Sequence, residues 1–473
     1  MSTLLLEHIN TLATFNPDRQ ILQNAWILIE DHQIKQLGTG KFKSQPVDQR
    51  LDLSDYVVLP GLINLHHHFF QALLRNVPSL QDASLFNWIR SMRMLSSEIS
   101  EEDLDVATRV NIAELLLSGC TTAVDHCYVR AKPLSHDVEI KAAQEMGIRF
   151  HFARGSRSMK IGASTHMRED GLEDLDDILA DTERLIKQYH DPQPFAMLRI
   201  ENAPGTPLST SERMWVESIA LARKYGCGNH THMAEAPDEE QYTLTTFGKR
   251  SVERAEELGW VGPDVWYAHA TRLSPTEKTI IQRTGTGICH CPTSNMYTSA
   301  SICEVAPMLQ AGGFKIGLGV DGSAANNSSH LLKEARHALL LQRTAFGADA
   351  LSPTQALELA ILGGASILRR DEIGVLAPGK AADLIGINMN KLAFAGGLHD
   401  PLAALILCET DRVDLSIVNG KILVEKGQVI GLDTSELIRK ANQHSRALMQ
   451  RTEKRYDVSL SQPQWRRAYP YDC

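Results

Sequence analysis

The sequence predicts an α/β fold: a (β/α)8 barrel of the TIM type, with a small β-sandwich domain formed by the N- and C-terminal segments. Short β-branched or apolar runs alternate with helical stretches through the middle of the chain, as repeated βα units do. Strand-like runs separated by turns fill the first 56 residues and return near residues 374–432, which indicates that the two ends pair. We therefore expect a small domain from residues 1–56 and 371–435, a barrel from 57–370, and a C-terminal helix and tail from 436–473.

Eight runs have the composition of barrel strands: VVLPGLINLH, CTTAVDH, IRFHFARG, AMLRIENAP, CGNHTHM, DVWYAH, TGICHC and FKIGLGVD. Helical patterns separate them. In SEEDLDVATRVNIAELLLSG, Ser100 is a plausible N-cap and Gly119 a stop, and STSERMWVESIALARKYG ends at Gly226. Long excursions follow the first strand (69–100) and the third (155–171), and such loops at the carboxyl end of a barrel usually form substrate walls or lids.

The composition is that of an ordinary globular protein, with 43% apolar residues in 473 and a formal net charge of −9. No dense Lys/Arg run is present, so nucleic acid and anionic membranes are poor candidate partners, and a small neutral ligand fits better. The eight cysteines are dispersed without a CxxC pair, as free thiols in a reducing compartment are. The start has no secretion leader and no run approaches a membrane span, so we expect a cytoplasmic protein.

The stretch GLINLHHHFF places three consecutive histidines at the end of the first strand. Alternation along a strand sends His66 and His68 to one face and His67 to the other. An i, i+2 pair of imidazoles supplies two ligands to a borderline ion such as zinc. Taken alone, the pattern is equally consistent with an ordinary packed histidine cluster.

Ligand-type residues end other strands too. HTHMAE ends the fifth strand, His269 in YAHA ends the sixth, and Asp321 in GLGVDGS ends the eighth. Each has an ordinary alternative as a packed imidazole, a strand end or a turn residue. Because catalytic groups of such barrels collect at the carboxyl ends of the strands, four strands ending this way indicate one site.

Three imidazoles and a carboxylate suit one divalent ion. We assign the ion to His66, His68, His232 and Asp321. Glu235 lies three residues beyond His232 and is expected to curl over the barrel mouth and shuttle a proton, with Asp321 able to take the proton of water and His269 to orient that water.

The fourth strand, AMLRIENAP, lacks the lysine that bridges two metals in binuclear hydrolases of this shape, which favours one ion. Zinc is the first choice and iron the alternative. An HxE element with a later PCxxC, the signature of the cytidine-type deaminases, is also missing.

With these motifs the sequence resembles the amidohydrolase superfamily, in its branch of cytosine-, guanine- and atrazine-type deaminases and chlorohydrolases. The resemblance spans nearly the whole chain and rests on PGLINLHHHFFQALLR, SGCTTAVDH, HTHMAEAPDEE, CPTSNM, GLGVDGSAANNSSHLLKEARHALLL and APGKAADLIGI. It implies a metal-dependent hydrolytic deaminase of an oxidised purine- or pterin-type heterocycle, with 8-oxoguanine favoured and isoxanthopterin or a triazine as alternatives. It also implies a homo-oligomer. A noncatalytic scaffold is disfavoured because all five expected positions are filled.

The resemblance further implies contacts to the substrate. Gln71 is expected to bond the ring, and Arg154 to lie near the heterocycle, although a loop-stapling salt bridge is nearly as plausible for Arg154. Arg199 suits an acidic or extra-carbonyl substrate, with an ion pair to Glu201 as the equal alternative.

Three further residues are candidates for shaping the pocket. Trp88 is a lid aromatic for stacking on a planar ring or, slightly favoured, a packing residue of an amphipathic helix. Ser294 and Asn295 in CPTSNM follow the seventh strand, where the family shapes its pocket, although Asn is also a common turn former. The neighbouring YTSASICEV and CYVRAKPL depart from the family pattern and leave the exact substrate open.

Overall fold

The computed structural model describes residues 2–43, 46–83, 85–129, 134–159 and 172–462. Part of the predicted loop after the third strand, and the last residues of the predicted tail, lie outside the described residues.

The described strands form two sheets, which confirms the predicted fold class. The first five strands, in chain order, are β1 Thr3–Ala13, β2 Ile21–Glu30, β3 Gln33–Thr39, β4 Gln49–Asp52 and β5 Tyr56–Pro60. The barrel strands follow as β6 Leu62–Asn64, β7 Cys120–Cys127, β8 Arg149–Ser156, β9 Leu198–Pro204, β10 Asn229–Met233, β11 Val265–His269, β12 Gly287–His290 and β13 Lys315–Leu318. The last four are β14 Leu384–Asn388, β15 Leu415–Val418, β16 Lys421–Glu425 and β17 Gln428–Val429.

The barrel consists of β6 to β13, each parallel to the next. Its first and last strands meet where Leu65 N donates to Leu318 O at 3.0 Å. All carboxyl ends of the strands therefore open at one rim, where the predicted site residues lie.

The other sheet has nine strands drawn from both ends of the chain. Its order is β17-β16-β15-β14-β5-β1-β2-β3, with β4 paired to β1. The predicted pairing of the two terminal segments is thus confirmed, while the residue limits of the domains stay a prediction.

The first predicted barrel strand is in fact two strands. Its first part, β5, pairs with β14 of the terminal sheet, and only β6 enters the barrel. Gly61 separates them. A Cβ at this position would lie 2.0 Å from Thr121 Oγ1, so only glycine fits there. The expectation that His66 and His68 lie on the strand itself is therefore corrected: β6 ends at Asn64 and both follow it.

Helices surround the barrel and extend from it. Up to β12 they are α1 Leu85–Ser96, α2 Glu101–Leu117, α3 Asp137–Met146, α4 Leu175–Tyr189, α5 Glu212–Lys224, α6 Pro237–Phe247, α7 Ser251–Glu257 and α8 Pro275–Thr284. Beyond it they are α9 Pro292–Tyr297, α10 Val305–Ala311, α11 Ser323–Asn326, α12 Leu331–Phe346, α13 Pro353–Glu358, α14 Gly364–Leu368, α15 Pro401–Leu407 and α16 Thr434–Tyr456. Single helical turns span Phe69–Leu74, Pro78–Leu80, Leu359–Gly363 and Leu392–Phe394.

Capping explains where two of these helices begin and end. Ser100 forms a reciprocal capping box with Asp103 at the start of α2, as its sequence predicts. The helix α3 ends at Gly147, which adopts a left-handed conformation. Within the described residues, no helix has both the length and the apolar character that crossing a bilayer requires.

Candidate active site

Five predicted residues converge at the carboxyl rim of the barrel. His66 and His68 follow β6, His232 lies on β10, His269 ends β11 and Asp321 follows β13. Asp321 Oδ1 lies 3.2 Å from His66 Nε2 and 3.3 Å from His68 Nε2. His68 Nε2 lies 3.2 Å from His232 Nε2. The structure therefore gathers atoms from separate strands around one point.

Backbone carbonyls orient two of these imidazoles. His68 Nδ1 donates to His126 O at 2.7 Å, and His232 Nδ1 donates to Gly205 O at 2.8 Å. A carbonyl oxygen can only accept a hydrogen bond, so each Nδ1 carries the ring hydrogen. In a neutral ring, Nε2 then carries a lone pair. Burial lowers the pKa of both rings, which keeps them neutral.

His66 is oriented through a second histidine. His230 Nδ1 donates to Trp266 O at 3.1 Å, so its Nε2 accepts from His66 Nδ1 at 2.7 Å. The lone pair of His66 Nε2 is thereby directed at Asp321. Burial lowers the pKa of both His66 and His230, so this chain connects two neutral rings.

Asp321 and His269 are held by two residues of α9, the short helix that follows β12. Ser294 Oγ donates to Asp321 Oδ2 at 2.5 Å, and His269 Nδ1 donates to Asn295 Oδ1 at 2.9 Å. Asp321 has a φ of 61° and His269 a φ of 73°, conformations that side chains other than glycine rarely adopt. Such strain persists where the surroundings impose it, often at active sites.

Glu235 enters the same pocket just beyond β10. Its Oε1 lies 3.7 Å from His269 Nε2. Burial raises the pKa of Glu235 to about 7. At neutral pH the carboxyl group can therefore both donate and accept a proton.

The site opens into one cavity with an empty volume of about 720 Å³, counting its mouth. One face of α1 forms a wall of it, through Trp88, Ile89, Met92 and Arg93. Trp88 is half-buried, and within the described residues its indole nitrogen has no hydrogen-bond partner. The excursion after the first strand thus forms a pocket wall, as the sequence predicts.

The family model for the amidohydrolase family matches residues 57–423 of this chain. The chain belongs to the amidohydrolase family. This amidohydrolase is 41% identical over 426 residues to 8-oxoguanine deaminase of Pseudomonas aeruginosa PAO1, covering 89% of this chain and 94% of the relative. It is 36% identical over 461 residues to hydroxydechloroatrazine ethylaminohydrolase of Pseudomonas sp. strain ADP, with 93% and 95% covered. It is 32% identical over 435 residues to isoxanthopterin deaminase of an unknown prokaryotic organism, with 87% and 89% covered.

Among solved structures, this amidohydrolase is similar to atrazine chlorohydrolase from Arthrobacter aurescens TC1 complexed with zinc. The TM-score is 0.89 at 28% sequence identity, with 93% of this chain and 100% of that chain covered. The family is metal-dependent, and several of its members similar to this chain are deaminases. The chain is therefore an aminohydrolase that acts on C–N bonds.

The donor set of this amidohydrolase suits a cation. His68 Nε2 and His232 Nε2 face each other as lone pairs, which repel unless a positive charge lies between them. His66 Nε2 and His269 Nε2 are buried, and among the described residues neither has a hydrogen-bond partner. Buried unsatisfied acceptors are costly, so a bound ion that uses them fits this arrangement.

Two predicted contact residues act through others. Gln71 is fully buried; its Nε2 donates to Tyr128 OH at 3.1 Å and its Oε1 accepts from Ala324 N at 3.1 Å. Tyr128 and Ser294 line the cavity, whereas neither Gln71 nor Asn295 is among its described lining residues. Within the described residues, Gln71 therefore reaches the cavity through Tyr128 rather than by lining it, and its contact with the ring stays a prediction.

Two predicted arginines lie away from the cavity lining. Arg154 is buried against Glu173, with Nη2 to Oε1 at 2.6 Å and Nη1 to Oε2 at 3.1 Å, so the stapling alternative is the one observed. Arg199 lies near the amino end of β9, opposite the site, where it donates to Pro192 O at 3.3 Å. Neither is retained as a substrate contact.

Four further residues were missed by sequence reasoning. Tyr128 directly follows β7, and Arg157 directly follows β8, at the rim where catalytic groups collect. Extending the predicted second and third strands by two residues would have reached both. His230 lies within the quoted HTHMAE and Arg93 within the excursion after the first strand, but only the bond to His66 and the packing of α1 reveal their place.

Proposed function

We propose that this amidohydrolase deaminates an oxidised purine of the 8-oxoguanine type by hydrolysis, releasing ammonia. The observation that carries the proposal is a buried carboxyl group, Glu235, in the same cavity as a convergent set of three imidazoles and Asp321. The relative named 8-oxoguanine deaminase supports the choice of ring.

The proposal includes one divalent ion, with zinc the first choice and iron the alternative. His66, His68, His232 and Asp321 would hold it. When bound, the ion would lower the pKa of a water molecule so that it attacks as a nucleophile at neutral pH.

The residues of the chain then move the protons. Water adds to the ring carbon that bears the amine, and Asp321 accepts a proton from it. Glu235 protonates the adjacent ring nitrogen, and the proton held by Asp321 then passes to the amine. The C–N bond breaks, ammonia leaves, and the new hydroxyl returns a proton to Glu235 as the carbonyl forms. His269, fixed by Asn295, orients the water.

The ring is positioned by the cavity wall. Trp88 offers a planar apolar surface for stacking. Tyr128, held by Gln71, offers its hydroxyl to the edge of the ring, and Ser294 keeps Asp321 in place.

Isoxanthopterin is the second candidate, because it is also a fused amino-oxo heterocycle and a relative at 32% identity bears that name. A triazine is the third, supported by the relative that acts as a hydroxydechloroatrazine ethylaminohydrolase. A homo-oligomer and a cytoplasmic location also belong to the proposal, the location resting on the dispersed cysteines.

An ammonia-release screen tests the proposal. The panel is 8-oxoguanine, guanine, isoxanthopterin, pterin carboxylate, cytosine and melamine-type triazines, with the wild type, Glu235→Gln, and Glu102→Gln on the exposed start of α2 as the matched control. We expect 8-oxoguanine to release ammonia fastest, Glu102→Gln to match the wild type, and Glu235→Gln to lose about 100-fold or more of the turnover while keeping its metal. Unchanged turnover in Glu235→Gln, or no ammonia from any oxidised purine, would overturn it.

A further inference from the structure

Two arginines line the cavity beside the reaction centre. Arg93 on α1 and Arg157 after β8 are 7% and 8% exposed. Nothing in the deamination steps above uses either guanidinium. Their position therefore calls for another explanation.

Arg157 is held in place by neutral groups. Its guanidinium lies 4.7 Å from the centre of the Tyr128 ring, and its Nη2 donates to Ser96 Oγ at 3.4 Å. Glu173 is near enough for its negative charge to act on Arg157. Both oxygens of that carboxylate, however, accept hydrogen bonds from Arg154. Among the described residues, the hydrogen-bond partner of the Arg157 side chain is thus a hydroxyl group.

The electrostatics of this wall favour an anion. Burial lowers the pKa of Arg157, and burial together with the nearby Arg157 lowers the pKa of Arg93 to about 10. Burial of the Arg157 guanidinium beside a second positive charge costs free energy that an anion bound to Arg157 recovers. Tyr128 OH accepts from Gln71, so its own hydrogen remains available as a further donor.

Building on the deaminase function proposed above, we propose that the substrate is an acidic amino-heterocycle whose oxyanion binds Arg157 beside Tyr128. The oxyanion is a carboxylate or an ionised ring oxygen, both of which match the planar fork of a guanidinium. Arg93 adds positive charge to the same wall. The composition of the whole chain favours a neutral ligand, and the local charge of this wall is the reason for proposing an acidic one instead.

The test measures ligand binding by calorimetry, which needs no turnover. Urate, the trioxopurine that deamination of 8-oxoguanine yields, is the ring-oxyanion probe, and pterin-6-carboxylate is the carboxylate probe. Hypoxanthine and pterin are their neutral counterparts. The variants of the metal-loaded enzyme are Arg157→Met, Arg157→Lys and, as the matched loss of one charge, Arg90→Met on the exposed face of α1.

We expect Arg157→Met to raise the Kd of at least one anionic probe roughly 10- to 100-fold and that of its neutral counterpart by less than about threefold. For Arg157→Lys we expect a Kd between those of Arg157→Met and the wild type. For Arg90→Met we expect the Kd of the wild type. The probe that responds identifies the source of the oxyanion.

Equal losses for anionic and neutral probes, or no affinity of the wild type for either anion, would overturn the inference. Binding of an anion that depends on Arg157, without ammonia release from any heterocycle, would instead reject the deaminase function and leave this site standing. If neutral heterocycles were turned over equally by the wild type and Arg157→Met, this inference alone would be rejected.

Discussion

Hydrogen bonds donated by the Nδ1 atoms decide which nitrogen His66, His68 and His232 present to the site. Two of those bonds go to backbone carbonyls, and the third goes from His66 to His230. His230 in turn depends on Trp266, whose ring stacks on it at 4.8 Å between centroids. We therefore expect the affinity of this site for an ion to depend on His230, which would not touch the ion.

Replacing His230 with Phe tests this dependence. The substitution keeps a ring against Trp266 but removes the acceptor for His66 Nδ1. We expect metal affinity to fall about 10- to 100-fold, measured by competition with a chelator. The control is His151→Phe, which removes a buried imidazole bonded to Glu201 elsewhere in the barrel; it is expected to lower stability but not metal affinity. Equal affinity in both variants would contradict the role of His230.

The sequence allowed the principal site residues to be predicted, because their types and their places at strand ends follow from local patterns. His66, His68, His232, His269 and Asp321 converge as expected. Arg154 and Arg157 show what local pattern leaves open. Both are arginines near the end of β8, and only the position of Glu173 on another part of the chain decides which one is drawn away from the cavity.

Side-chain contacts join neighbouring helices around the barrel. At the start of α3, Asp137 accepts from Arg184 of α4 through both nitrogens, at 3.2 and 2.9 Å, and from Tyr189 at 2.5 Å. Burial alone would raise the pKa of Asp137, but the bonds from Arg184, Ser135 and Tyr189 outweigh it and lower the pKa to about 2. The helices α3 and α4 are thus joined by a carboxylate.

The contribution of Asp137 to stability should depend on pH. Its pKa in the folded chain is below the unfolded value of about 4, so the stabilisation is complete above pH 4 and is lost as the pH falls toward 2. We expect Asp137→Asn to lower the free energy of unfolding by about 1 kcal/mol at pH 7 and by less at pH 3, from urea titrations. Asp176→Asn, which removes an exposed pair with Arg213, is the control and should change little. If Asp137→Asn lowered the free energy of unfolding by the same amount at pH 7 and pH 3, the proposed pH dependence would be wrong.

Strand patterns predicted the eight barrel strands because alternating or continuous apolar runs are a local signal. They did not reveal that the first run divides at Gly61 between two sheets. That division depends on the contact with Thr121 and on pairing with β14, more than 320 residues further along the chain.

At the scale of the whole molecule, a buried ion pair joins the barrel to the terminal sheet. Arg149 is the first residue of β8, and Asp383 directly precedes β14. The guanidinium of Arg149 donates to both oxygens of Asp383, at 2.7 and 3.0 Å. Arg149 and Asp383 are 0% and 2% exposed. Asn419 N also donates to this carboxylate at 2.6 Å, so three parts of the chain meet there.

Removing one partner of this pair should destabilise the whole chain. Asp383→Ala leaves the buried Arg149 without its carboxylate, and we expect a loss of about 3–5 kcal/mol in urea unfolding. The double variant Arg149→Met with Asp383→Leu replaces both charges by apolar groups and should be less destabilised than the single variant. A single variant within about 1 kcal/mol of the wild type would contradict this account of the junction.

We propose that one ion is held by side chains from separate strands of the barrel. Elemental analysis of the purified protein, wild type and His66→Ala/His232→Ala side by side, tests it most directly. The account predicts close to one zinc or iron ion per chain in the wild type and almost none in the double variant. Two ions per chain in the wild type, or an unchanged content in the double variant, would contradict it.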